Sequence, residues 1–164
     1  MGFFSYKREK SFSRGFGIIE IVFAVAIITL ALFSIIGVAS SALVLNRRAL
    51  SATEASFLIE ESIEGLRFMR DKSWSSVSAL SPGTSYYLNF STTTGYGATT
   101  DKSMIGIFER TVTVENVYRD GNDDIVPSGT LDPGTLKFTV TVSWWNGAAT
   151  SSRSTAFYLA NIFE

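Results

Sequence analysis

The hydrophobic pattern divides the chain into three stretches with different periods. Phe16 to Leu45 is thirty residues of mostly Ile, Val, Leu, Ala and Phe, and Glu20 is the one charged residue among them. About 20 apolar residues cross a hydrocarbon core as a helix, so this run can span a membrane with residues to spare. From Asn46 the pattern turns amphipathic, and no proline stands before Pro82. Ala52, Ala55, Ile59, Ile63 and Leu66 recur at helical spacing, with Glu54, Glu60, Glu61, Glu64 and Asp71 mostly off that stripe. Arg67 and Asp71 are spaced as an i,i+4 pair, though in the weaker orientation. The two patterns predict one helix from Phe16 to about Lys72 or Ser73, about 55 residues and roughly 80 Å long.

Past Trp74 the composition changes to Ser, Thr, Gly and aromatics, and the period falls to two, the signature of strands. Thr84–Ser91 puts Tyr86, Leu88 and Phe90 on one face. Ile105–Tyr118 turns Val112 and Val114 inward and Glu109, Thr111, Thr113 and Glu115 outward. Leu136–Trp145 alternates most clearly, with Leu136, Phe138, Val140, Val142 and Trp144 on the inner face. Trp144 is then core, and Trp145 is exposed or sits at a subunit contact. Asn146-Gly147 marks a hairpin, and Arg153–Ile162 supplies a last strand. The expectation is an α+β chain: a long N-terminal helix, transmembrane then amphipathic, packed on a small sheet of about four antiparallel strands. Its segments are 1–15, a leader; 16–45, the membrane helix; 46–73, the amphipathic half; and 74–164, the sheet domain.

Composition removes several functions. The chain has 164 residues and neither Cys nor His. It therefore has no disulfide and no thiolate nucleophile, and it lacks both the commonest metal ligand and the usual neutral-pH base. Plentiful Ser and Thr have no His to activate them, and no P-loop or Rossmann fingerprint is present. These absences point away from an enzyme and give no reason to expect a cofactor. The net charge of −1 conceals an asymmetry. Residues 1–15 carry Lys7, Arg8, Lys10 and Arg14 against Glu9, whereas the remainder carries 10 basic and 14 acidic side chains. An acidic body gives no electrostatic footprint for nucleic acid. The basic leader places the N-terminus in the cytoplasm by the positive-inside rule, with Arg47 and Arg48 at the far end of the run weighing slightly the other way.

A carboxylate near a bilayer centre costs roughly 2.5–3.5 kcal/mol on insertion scales, so Glu20 requires an explanation. One alternative is a secretory signal peptide cut near Ser40-Ser41-Ala42. The apolar stretch is longer than an ordinary signal core, and Glu20 interrupts its start. A plain single-pass anchor with an incidental acid, carrying a binding domain that never polymerises, is the other alternative. The residues themselves carry a more specific reading. Lys7-Arg8-Glu9-Lys10, then Ser13-Arg14-Gly15, then Phe16-Gly17-Ile18-Ile19-Glu20 and an unbroken apolar helix resemble the type IV pilin and type II secretion pseudopilin superfamily. The resemblance is specific over roughly Arg14–Leu45 and architectural beyond it. Gly17 departs mildly, since Thr or a similar residue is common there.

The resemblance implies a pilin-like fold and a prepilin cleaved between Gly15 and Phe16 by a prepilin peptidase. It further implies methylation of the new N-terminal Phe16, and Glu20 as the fifth mature residue. Cleavage creates an α-amino group on Phe16, and Glu20 four residues later projects from the same helix face. The ammonium and carboxylate can then neutralise one another, within one chain or between neighbours, and pairing between neighbours sets axial register. Glu20 is thus an assembly residue. Gly37, the one glycine in the interior of the apolar run, well beyond Gly17 at its start, stands near Ser34, Ser40 and Ser41. It either loosens the helix, as a proline does in many pilins, or allows close packing through small residues. The implied partners are the prepilin peptidase, an inner-membrane assembly platform with its ATPase, other pilin subunits and the membrane. The implied location is the inner membrane, with the C-terminal domain outside, and then the filament. Without Cys the chain lacks the C-terminal disulfide loop of many major adhesive pilins, which favours a minor pilin or a pseudopilin.

Two features of the sheet domain have chemical alternatives. Tyr86, Tyr87, Phe90 and Tyr96 would suit base stacking, but few cations accompany them, and core packing is the expectation. Asp120, Asn122 and Asp124 occupy alternate positions, like the opening of a calcium loop. Some pseudopilins bind calcium near the end of their sheet. Here Ile125 stands where the loop needs glycine and no acid closes it, so an ordinary polar turn is the competing expectation.

Overall fold

A computed structural model describes residues 17–163. It has one long helix, α1 (Ile18–Lys72), and a one-turn helix, α2 (Ser75–Ser78). The strands are β1 (Ser85–Ser91), β2 (Gly95–Thr99), β3 (Met104–Ile105), β4 (Phe108–Arg119), β5 (Ile125–Val126), β6 (Thr130–Trp145) and β7 (Thr150–Ala160). The chain separates into two compact units, the first ending at Leu45 and the second beginning at Asn46.

The first unit is the apolar part of α1. Ile18 to Leu45 is helical throughout with every residue exposed, so none of the described residues covers its Ile, Val, Leu and Phe side chains. The helix is long and apolar enough to cross a membrane. Thr29, Ser34 and Ser41 donate their hydroxyls to the carbonyls of Val25, Leu30 and Gly37 at 2.7, 2.8 and 3.0 Å. Back-bonding of this kind lets a hydroxyl enter an apolar surrounding without an unsatisfied donor.

The second unit packs the remainder of α1 on the sheet. The helical stripe read from the sequence is the buried one: Ala55, Ile59 and Leu66 are buried, and Ala52 and Ile63 pack beside them. Ser62 joins them by donating to the Leu58 carbonyl at 2.7 Å. Arg70 and Lys72 sit in the last turn, where cations complement the helix dipole. The chain then turns through Ser73 and Trp74 into α2, whose Val77 is fully buried. Arg67 does not pair with Asp71 as its spacing predicts. It reaches back three residues to Glu64 at 2.6 Å, the favoured acid-before-base orientation, and Asp71 is taken by Arg70 at 2.7 Å.

The sheet is antiparallel and has seven strands rather than about four. Five form the path β2-β1-β4-β6-β7, with β3 and β5 pairing at the two ends of β4. The four strands foreseen correspond to β1, β4, β6 and β7. Alternation inside β4 and β6 is as read: Val112, Val114, Leu136, Phe138, Val140, Val142 and Trp144 are buried, and Trp145 is exposed; Phe108, at the start of β4, is buried with them. Strand β6 begins six residues earlier than its alternation, because Thr130, Leu131 and Asp132 also pair with β4. A bulge absorbs Pro133–Thr135 opposite the Asn116/Val117 step, a site where a residue without an N–H is tolerated. Strand β2 escapes a propensity reading because two of its five residues are glycine. Two glycines, one in α1 and one in β2, permit close contacts. A Cβ on Gly65 of α1 would stand 2.8 Å from the Tyr96 ring, and Gly95 turns at φ +80° with the Phe68 ring against it.

Candidate functional site

The apolar part of α1 is the surface with the clearest chemical demand, because among the described residues nothing covers it and it holds a single carboxylate. Glu20 lies in the first turn, its N–H donating to the Gly17 carbonyl at 3.0 Å. None of the ion pairs among the described residues involves it. An acid at a helix N-terminus is favoured by the dipole, which offsets part of its cost in an apolar surrounding. Gly15 and Phe16 lie outside the described residues. Gly37 sits in unbroken helix, and a Cβ placed on it would meet nothing within 4 Å. Its flank is open on the side where Ser41 back-bonds, so a neighbouring helix can approach closely there.

The calcium candidates form a tied turn. The Asp120 carboxylate accepts the N–H groups of Asn122 at 2.8 Å and Asp124 at 3.0 Å, and the Asp120 N–H donates to the Asp124 carbonyl at 3.0 Å. Asp123 takes the left-handed conformation at φ 68°, and its carbonyl accepts from Arg119 at 2.8 Å. The Asp120 oxygen is thus used as a turn cap and the local cation is a guanidinium. Among the described residues no three acidic, His or Cys side chains converge as a metal site. Arg119 also donates to Asp132 at 2.7 Å. That bond, with those from Thr135 and the Gly134 N–H, holds the Asp132 carboxyl below the usual range.

The aromatics divide. Tyr86 and Tyr96 are half-buried against the core, as core packing requires, and the Tyr86 oxygen accepts the Ser81 N–H at 2.8 Å. Tyr87 and Phe90 depart from it. Tyr87 lies on the outer face and donates to Glu109 at 2.8 Å, which Lys102 also meets at 2.9 Å. Lys102 and Tyr87 together lower the Glu109 pKa, while the hydrogen bond to Glu109 raises that of Tyr87. Phe90 is exposed, because β1 beyond Tyr86 leaves β4 and pairs only with β2; its ring leans on Tyr96 at 5.1 Å.

One buried group was not foreseen. Arg110 occupies an inward position on β4 between Phe108 and Val112 and is 5% exposed. Its Nη1 lies 3.2 Å from Glu61 on α1, and its Nη2 donates to the Leu88 carbonyl at 3.4 Å. Glu61 also accepts from the Tyr96 hydroxyl at 3.4 Å. The signal was available in the parity of β4, which turns position 110 toward the core. A second unforeseen feature is an open groove of about 650 Å³ at the bulged end of the sheet, walled by Pro82, Tyr118, Pro127 and Tyr158 with Lys137 and Glu115 on its rim. Compared with family models, curated proteins and solved structures, the chain matches none of them.

Proposed function

We propose that the chain is a structural subunit of a type IV pilus-like filament or a type II secretion pseudopilus, a minor pilin or pseudopilin by preference. It is cleaved after Gly15 and polymerises through its N-terminal helix. The observation that carries the reading is Glu20: a lone carboxylate in the first turn of α1, whose apolar part no described residue covers, five residues past Gly15. Cleavage supplies an α-ammonium on Phe16, a partner that the carboxylate does not have among the described residues. A buried pair of this kind adds little stability but specifies register. The sheet domain stays outside the membrane, and the apolar helix passes from lipid into the filament core. The partners in this scheme are the prepilin peptidase, the inner-membrane assembly platform and other pilin subunits; nucleic acid has no part in it.

Substitution Glu20→Ala tests the role. Membrane insertion is retained, because removing a charge from an apolar helix favours it. Incorporation into sheared filaments is lost. Normal incorporation of the variant sinks the assembly role of Glu20.

A further inference from the structure

Strand β7 ends the sheet and, among the described residues, is paired on one side only. Its open edge can be assigned residue by residue. The Asn161 N–H donates to the Gly134 carbonyl at 2.8 Å and the Asn146 N–H to the Ala149 carbonyl at 3.1 Å, both in register with the β6–β7 ladder and one at each end of it. Hydrogen-bonded pairs alternate along an antiparallel ladder, so the odd-numbered residues from Ser151 to Leu159 turn their backbone groups to β6. Thr150, Ser152, Ser154, Ala156, Tyr158 and Ala160 turn theirs away, and all six are exposed. The strand carries none of the usual protections of an edge: it runs for 11 residues without Pro, Lys or a bulge. The opposite edge, β2, has 5 residues, two of them glycine.

Beside this edge lies a groove of about 530 Å³ between α1 and β7, lined by Ile59, Glu60 and Ile63 on one side and Arg153 and Thr155 on the other. The odd-numbered side chains of β7 share its face: Leu159 is buried, Phe157 stacks on Phe138 at 5.9 Å, and Arg153 donates to the Ser56 hydroxyl at 2.9 Å. Arg153 and Glu60 both line the groove, yet neither takes part in an ion pair among the described residues.

We infer that β7 accepts an extended segment of a different protein as a further antiparallel strand, with two apolar side chains and one acid at successive alternate positions. Ladder bonds to Ser152, Ser154 and Ala156 attach it. In that ladder Arg153 and Thr155 are non-hydrogen-bonded positions, where facing side chains come closest, with Cα atoms about 4.5 Å apart. An acid opposite Arg153 supplies the absent ion pair, and an apolar side chain opposite Thr155 covers Ile59 and Ile63. Glu60 repels a second acid. A second copy of this chain does not meet the demand through its sheet edges. Arg153 is the one charged residue of β7 and β2 has none, so neither edge strand offers an acid. The contact needs only the sheet domain, so it goes beyond polymerisation of the helix and does not depend on it.

The probe is a fluorescently labelled peptide, Thr-Val-Thr-Val-Thr-Glu-Thr with blocked ends, titrated onto the full chain in detergent. It is expected to bind, and the same peptide with Lys in place of Glu about fivefold more weakly. Arg153→Glu is expected to reverse that preference. Ser154→Pro is expected to abolish binding and leave the fold intact, because the N–H it removes points away from β6. Amide exchange gives a readout without substitution. The Ser152, Ser154 and Ala156 N–H groups should exchange fast in the free chain and slow when peptide is added, whereas that of Thr155, already bonded to β6, should change little. No binding, undiminished binding by Ser154→Pro, or equal affinity for the two peptides overturns the inference. A dimer of the peptide-free chain that Ser154→Pro dissolves also overturns it, since a second copy would then hold the edge. All of these results leave the proposed filament role standing, which incorporation of Glu20→Ala reads separately.

Discussion

Removing Glu61 should cost the sheet domain more stability than removing Arg110, although both belong to one ion pair. The guanidinium is buried, with its side chain 6% exposed, whereas the Glu61 side chain is 45% exposed. Glu61→Ala leaves Arg110 charged in the core with the Leu88 carbonyl as its remaining polar contact, while Nε and Nη1 have no hydrogen bond at all. Breaking a fully buried pair costs about 3–5 kcal/mol; the water-accessible side of Glu61 reduces this to about 1–2 kcal/mol here. Arg110→Met removes the charge and keeps an unbranched apolar side chain at a position flanked by Phe108 and Val112. It should fall within about 1 kcal/mol of the natural chain, or exceed it. With Arg110→Met present, Glu61→Ala should cost almost nothing further. Urea unfolding of the full chain in detergent, followed by the fluorescence of its three tryptophans, reads all four corners of this cycle. Equal losses for the two single variants, or an undiminished loss from Glu61→Ala in the Arg110→Met background, would refute the reasoning.

Gly65→Ala should destabilise the same domain by about 1–3 kcal/mol, because its Cβ would stand 2.8 Å from the Tyr96 ring; the same unfolding experiment checks this, and a gain in stability contradicts it. The depressed Asp132 carboxyl gives a pH dependence of definite sign. Its contribution is present above the unfolded carboxylate pKa of about 3.9 and is lost as pH falls through the lower folded value. Asp132→Asn should therefore flatten the acid limb of a stability curve measured from pH 5 to pH 2, and an unchanged limb would assign the acid sensitivity elsewhere.

The helix was legible in the sequence because its two patterns each persist over many turns. Ala55, Ile59 and Leu66 fall on the core face for the same reason that they fall on one stripe. The central strands were legible because β4 and β6 are buried on one face, which forces strict alternation at Val112, Val114, Phe138, Val140 and Val142. What was not legible depends on partners distant in sequence. The glycine-containing β2 exists because β1 pairs with it and Tyr96 finds the bare backbone of Gly65. Short β3 and β5 exist only as partners of β4. The start of β6 is hidden by a proline that a bulge accommodates. Phe90 was placed with the core because strand parity cannot reveal where the strand beneath it ends. Glu20 stood out from the sequence because an acidic side chain in an apolar run needs no tertiary information to be anomalous.

The mature N-terminus tests the central claim most directly. Intact-mass and terminal-peptide mass spectrometry of the chain recovered from producing cells should show it beginning at Phe16, with a methyl group on the α-amine. A chain that keeps Met1–Gly15, or one that begins just after Ala42, would contradict the account.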